Sequence, residues 1–401
     1  MNPLPKFLLL LLINSLLAAA CSLAQPASAT PSPTRSVAVF PSVSPAPTTA
    51  PPPLTPPLLT STPALAPTVP RNTVVERGQL LPGFSLTVYA EVPGPTSLAF
   101  GPEGRLYVAS TNSAVYAFAD RDGDHRAEER QTYATGVNIP LGLAWVSDRL
   151  YISYNGNVAA MADKNADGQG DRLISILTGL PADGRHQNDG LALGLDGYLY
   201  LGMGSTCDVC RERDPRSAAI LRFQPDGSEL SVFATGLRNP YDLAFNAAGD
   251  LFATDNGRDD LGQTLPPEEL NHIRAGLDYG WPTCWAGNTA PECAAAAGPA
   301  ATFTARSSAN GLTFYSGDNF PAEYHDNALV AVLGSYVFPD VERGVARVQL
   351  RKNGDTYSGA TEWFLKLSDG RPLDVTVGPD GGLYVADYDQ GLIYRIVYGA
   401  P

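Results

Sequence analysis

The stretch Ser97-Leu-Ala-Phe-Gly-Pro-Glu-Gly-Arg-Leu-Tyr-Val108 decides the fold, because the chain goes on to repeat it. It reads as an apolar strand, a Gly-bearing tight turn, and a second strand rich in Leu, Tyr and Val. The phrase returns as Gly142-Leu-Ala-Trp-Val-Ser-Asp-Arg-Leu-Tyr-Ile152, Gly190-Leu-Ala-Leu-Gly-Leu-Asp-Gly-Tyr-Leu-Tyr-Leu201 and Asp242-Leu-Ala-Phe-Asn-Ala-Ala-Gly-Asp-Leu-Phe-Ala253. A looser copy runs from Gly311-Leu-Thr-Phe314 to Asn327-Ala-Leu-Val-Ala331, and the last is Asp374-Val-Thr-Val-Gly-Pro-Asp-Gly-Gly-Leu-Tyr-Val385. Copies at intervals of roughly 45 to 70 residues mark units that bury their faces only against their neighbours. Four short strands per unit fit a propeller blade, and six copies predict an all-β, six-bladed β-propeller.

Outward from the repeats, Phe84-Ser-Leu-Thr-Val-Tyr89 precedes the first full unit and is expected to pair with the final Leu392-Ile-Tyr-Arg-Ile396, sealing the ring and hiding its edges. The longest insertions, around Cys207 and from Arg258 to Ser307, fall between strands and are expected on a rim, where loops carry chemistry.

Residues 1–20 read as an export signal, with Lys6 ahead of an apolar run and Ala18, Ala19 and Ala20 before Cys21. Leu-Ala-Ala-Ala before Cys resembles a bacterial lipobox, which makes Cys21 a lipidation candidate; an ordinary secretory signal cut near Ala24 or Ala27 is the alternative. Residues 21–75 are rich in Pro, Ser, Thr and Ala and read as a disordered tether, with the propeller over 76–401. The expected product is an exported protein held to a membrane by an N-terminal lipid, at the cell surface or in the periplasm. Cys207 with Cys210 and Cys284 with Cys293 read as two local disulfides of an oxidising compartment. A redox-active pair or half of a zinc site is the other reading of Cys207 and Cys210. A net charge of −14 excludes nucleic acid as a partner.

Chemistry concentrates in four phrases: Gly236-Leu-Arg-Asn-Pro240, Ala253-Thr-Asp-Asn-Gly-Arg-Asp-Asp260, Glu268-Glu-Leu-Asn-His-Ile273 and Asp278-Tyr-Gly-Trp-Pro282. On residue chemistry alone they place a guanidinium beside an amide at a strand start, followed by an acidic, Gly-bearing loop able to offer oxygens to a hard cation. Two further acidic runs, Asp120-Arg-Asp-Gly-Asp124 with Glu128 or Glu129 and Asp163-Lys-Asn-Ala-Asp167-Gly168 with Asp171, resemble half of an EF-hand loop and read better as Asp-Gly turns. Gly202-Met-Gly204 lacks the strand-to-helix setting of a dinucleotide fingerprint and reads as close backbone packing.

The four phrases, in this order, resemble the glucose/sorbosone dehydrogenase family, from about residue 80 to the C-terminus. The resemblance implies pyrroloquinoline quinone and Ca²⁺ at the top of the central channel. It makes His186, in Gly184-Arg-His-Gln-Asn-Asp-Gly-Leu191, the base that takes the substrate's hydroxyl proton while hydride passes to the quinone. Arg238 and Asn239 are expected to face the cofactor, Arg371 to hold its acid groups, and Gly257 and Arg258 to offer main-chain carbonyls to Ca²⁺. Glu269 and Tyr279 are candidates for a second metal site. The implied activity is oxidation of a sugar, aldose or polyol, with electrons leaving to an external acceptor. Three positions depart from the family's soluble glucose dehydrogenases: Arg185 where they carry Asp, Gly334 or Ser335 where they carry Lys, and Leu373 where they carry a second Arg. The departures favour a sorbosone dehydrogenase-like branch. They also keep two rivals in view, a Ca²⁺-dependent hydrolase such as a lactonase and a non-catalytic surface-binding propeller.

Overall fold

The computed structural model describes residues 78–399, so the signal, Cys21 and the whole of the tether lie outside the described residues. Six antiparallel sheets follow one another along the chain. Blade 1 spans 95–135, blade 2 140–177, blade 3 188–235 and blade 4 240–303, each a four-stranded meander. Blade 5 spans 309–367 and gains Gly78–Leu80 as a fifth, outermost strand. Blade 6 spans 372–398 and takes Phe84–Glu91 as its outer strand, paired antiparallel with Leu392–Tyr398. The ring therefore closes as the sequence predicts. The extra strand on blade 5 was not anticipated.

Each blade's second strand is largely apolar because it is covered on both faces. Leu106–Ser110, Leu199–Met203 and Ala328–Val332 are buried at every residue, whereas the outer Ser231–Thr235 is largely exposed. Burial is organised by interface: six apolar clusters each join two neighbouring blades. Phe84 shows how the closing strand earns its place, meeting Phe320, Tyr324, Phe364 and Tyr398 edge-on at 4.7–5.2 Å. Such pairs contribute about 0.5–1.5 kcal/mol each beyond burial.

In an antiparallel meander, the starts of the inner strands, the second-to-third loops and the links between blades share one rim, here called upper. The pairing register shifts near the start of the inner strand in all six blades. A bulge there re-aims side chains at the channel mouth. The insertion after Arg274 climbs back to the same rim along the outer strand of blade 3. Gly276, Tyr279 and Trp281 donate their N–H groups to the carbonyls of Phe233, Thr235 and Gly236. This carries Trp281 to Asp208, whose carbonyl accepts its indole N–H at 3.2 Å, and leads on to the Cys284–Cys293 disulfide. The Cys207–Cys210 disulfide also forms, in the second-to-third loop of blade 3.

The two acidic runs are turns stabilised by their own backbone. Asp120 accepts the N–H groups of Gly123 and His125, and Asp163 those of Asp167 and Gly168. Among the described residues the helical content is two short 3₁₀ turns.

Candidate functional site

The inner strands of blades 3, 4, 5 and 6 are preceded by His186, Arg238-Asn239, Arg306 and Arg371. One device fixes two of these turns. Asp255, closing the second strand of blade 4, accepts the N–H groups of Arg238 at 3.1 Å and Asn239 at 2.7 Å. Asp387 does the same in blade 6 for Arg371 at 2.8 Å. Burial pushes the pKa of both carboxyls up, and these N–H bonds oppose it.

His186 is held by its Nδ1, 3.1 Å from both the carbonyl and the hydroxyl of Ser205. The Ser205 hydroxyl donates to the Cys207 carbonyl at 2.7 Å, so the network assigns the Nδ1 proton to the Ser205 carbonyl and leaves Nε2 as an acceptor. Burial, then the charges of Arg238 and Arg185, push the His186 pKa down to about 3 despite the Ser205 bond and Asp208. The ring is therefore neutral at every ordinary pH. Gly204 makes this possible: a Cβ there would lie 2.3 Å from the His186 Cβ and 2.7 Å from the Asn239 Oδ1. Gly202 is likewise confined, since a Cβ there would lie 2.2 Å from the Pro240 carbonyl oxygen, as close packing predicts.

Beside His186 lies a network of charges. The Arg238 guanidinium, almost fully buried, donates to Asp208 at 2.8 and 3.0 Å, to Asp259 at 2.8 Å and to the Asn256 carbonyl at 3.1 Å. Arg185 and Arg306 pair with the same Asp259. Asp208 also accepts the Asp259 N–H at 2.9 Å. Burial raises the Asp208 pKa, but that N–H and Arg238 more than offset it, and the carboxyl titrates below its usual range. Glu268, buried beneath the loop, accepts the Gly257 N–H at 2.6 Å, and burial pushes its pKa up to about 7.

These groups line a cavity of about 440 Å³, walled on its far side by Gly334–Phe338. His186, Arg238, Asn239 and Gly257 are brought together there, with Arg185, Gly334 and Ser335. The Oδ1 atoms of Asn239 and Asn256, also in the lining, are buried without a hydrogen-bond partner. Arg371 stands apart, behind the 333–336 segment: it donates to the Leu333 and Ser335 carbonyls, pairs with Asp389 at 2.9 Å, and carries the Tyr336 ring over its guanidinium at 3.9 Å. The Arg258 carbonyl accepts the Arg306 guanidinium, and its side chain turns to Asp260 and the Pro282 carbonyl. Glu269 accepts the Ala286 N–H and the Asn271 amide, while the Tyr279 hydroxyl binds His272 and Arg274 backbone, so each polar side chain is committed locally. Sequence reasoning missed Asp208, Asp259, Glu268 and Arg306. Asp259 and Glu268 lay inside quoted phrases, but nothing local marks Arg306.

Residues 74–395 match the model of a family described as "Domain of unknown function (DUF7133)". An uncharacterised protein of Borreliella burgdorferi is 23% identical over 349 residues, 79% of this chain and 89% of that one. Among solved structures, the holo form of the PQQ domain of pyranose dehydrogenase from Coprinopsis cinerea superposes with a TM-score of 0.71 at 15% identity, covering 82% of this chain and 99% of that one. The PQQ-bound form of aldose sugar dehydrogenase from Streptomyces coelicolor gives 0.60 at 21%, covering 79% and 100%. At these identities the likeness is one of fold.

Proposed function

The chain belongs to the DUF7133 family, and from that premise we propose that it is a quinoprotein dehydrogenase oxidising a sugar or related alcohol, with pyrroloquinoline quinone held in the upper-rim cavity. The observation that carries the reading is His186: a half-buried, neutral imidazole, anchored through Nδ1 and lining a cavity flanked by guanidinium groups. The fold neighbours named for the same cofactor support it.

The donor set suits a polyanionic planar ligand. Arg185, Arg238 and Arg306 give positive potential, and the unpartnered Asn239 and Asn256 Oδ1 atoms offer acceptors to a ligand N–H or O–H at the wall. It does not suit Ca²⁺ on the Gly257 and Arg258 carbonyls, since the latter already accepts a guanidinium.

When bound, the quinone supplies an acceptor for the hydride that leaves the substrate carbon. His186 Nε2 takes the hydroxyl proton, and the Ser205 carbonyl steadies the imidazolium that results. Arg238, fixed by Asp208 and Asp259, holds positive charge where negative charge develops. The two disulfides fit an oxidising compartment. Export by residues 1–20, a lipid on Cys21 and an external electron acceptor belong to the same proposal.

The test is a titration of the purified full chain with pyrroloquinoline quinone, followed by an aldose and polyol panel with a dye acceptor. Saturable binding with dye reduction is expected. His186→Ala is expected to lower kcat by about 10²–10⁴ with quinone affinity unchanged. Absence of binding would sink the reading and bring a hydrolase or a binding scaffold forward.

A further inference from the structure

The loop from Asn256 to Pro267 joins the second and third strands of blade 4, and of the side chains from outside it that bind its backbone, Arg306 makes the most bonds. Arg306 reaches in from the segment before blade 5. Its Nε and Nη2 donate to the Gly262 carbonyl at 2.7 and 2.6 Å, Nη2 to the Leu265 carbonyl at 2.6 Å, and Nη1 to Asp259 Oδ1 at 3.0 Å and to the Arg258 carbonyl. A guanidinium has five N–H groups, and all five are in use. The side chain is 6% exposed, and its backbone adopts φ +68°, a left-handed conformation uncommon outside glycine.

The acceptors are three main-chain carbonyls and one carboxylate. That is the oxygen class a calcium ion collects from a protein loop. Here they converge on a guanidinium, so a divalent ion at the Arg258 carbonyl would compete for an occupied lone pair beside a like charge. The charge balance points the same way. Arg185, Arg238 and Arg306 share Asp208 and Asp259, three guanidinium groups on two carboxylates. A metal would add charge to a wall already crowded with cations, whereas an anionic ligand is drawn to it.

We propose that Arg306 is the resident cation of this site: it fills the oxygen cage of the 256–267 loop, so that an anionic ligand binds beside His186 without a divalent metal. The choice of ligand rests on the quinone reading, whereas the filled cage does not.

Two measurements on the full chain separate these. The first is the Kd for pyrroloquinoline quinone in EDTA and in millimolar Ca²⁺. The two values are expected to agree within about twofold; a tenfold or greater tightening by Ca²⁺ would overturn the proposal while leaving the quinone reading intact. The second is the number of Ca²⁺ ions bound per chain, by equilibrium dialysis, for wild type and for Arg306→Ala and Arg306→Gln proteins whose circular dichroism matches wild type. Vacating the cage is expected to add one ion, and an unchanged number would overturn the proposal. If the quinone does not bind in either buffer, the functional reading fails, and the ion count alone decides the role of Arg306. Should neither variant fold, the two-buffer comparison on wild type decides it.

Discussion

Arg238 and Arg371 begin equivalent inner strands, and in each turn an aspartate at the end of the blade's second strand accepts the arginine's N–H. Their side chains nevertheless live in different company. Arg238 is 4% exposed, shared between Asp208 and Asp259, and lines the cavity. Arg371 is tied to the Leu333 and Ser335 carbonyls and to Asp389, under the Tyr336 ring. A blade repeat fixes where a residue sits on the rim. Loops arriving from other blades fix what its side chain meets.

The sharpest way to break this contrast is Arg238→Ala against Arg371→Ala. Removing Arg238 leaves the half-buried Asp208 without its cation, while Asp259 keeps Arg185 and Arg306, a loss of about 3 kcal/mol in unfolding free energy. Quinone affinity should fall at least tenfold. Removing Arg371 exposes a single carboxylate already 37% exposed and should cost about 1 kcal/mol. Affinity should move less than threefold. Equal losses of affinity would put Arg371 back in the site, as its place in the sequence suggests.

Glu268 sharpens the contrast through pH. Burial raises its pKa to about 7, against the N–H groups of Gly257 and Ser308 and the charges of Arg238 and Arg306. Because the folded value lies above the ordinary 4.5, the stabilising contribution is complete below pH 4.5 and is lost as pH rises through about 7. Denaturant melts at pH 4.5 and 8 should show wild type losing about 3 kcal/mol relative to Glu268→Gln. A constant difference would mean that the carboxyl is ionised throughout.

Gly204→Ala tests the packing on which the cavity side depends. The new methyl would meet the His186 Cβ and the Asn239 Oδ1 well inside contact distance. A stability loss of about 1–2 kcal/mol is expected, with at least a tenfold drop in kcat/KM. Unchanged kinetics would show that His186 need not be held where Ser205 holds it.

The fold was legible because one phrase encodes a hairpin with a doubly covered second strand, and an unmatched Phe84–Tyr89 was left over to close the ring. Gly78–Leu80 escaped notice, being three residues whose pairing with Leu365–Leu367 is set by tertiary contact alone. The family resemblance named His186, Arg238 and Asn239, and the fold brings all three to one cavity. Asp208 and Arg306 were not legible, because their partners lie across insertions whose paths follow no periodicity. The expectation for the Arg258 carbonyl depended on a charge 48 residues away in the chain.

A paired comparison isolates the partner loops themselves. Asp208→Asn removes the carboxylate that takes two Arg238 bonds and the Asp259 N–H, while Asp389→Asn removes one that meets Arg371 and the Tyr336 hydroxyl at the surface. The first should cost about 1.5–3 kcal/mol, since a buried guanidinium loses a charged acceptor. The second should cost under about 1 kcal/mol, because water and the two carbonyls remain available to Arg371. Thermal melts of the two variants at one ionic strength compare them directly. Added salt should shrink the Asp389 difference and leave the Asp208 difference standing, because screening acts on exposed pairs. If both shrink together, Asp208 is as open to solvent as Asp389, and the distinction between the two turns is one of sequence neighbours only.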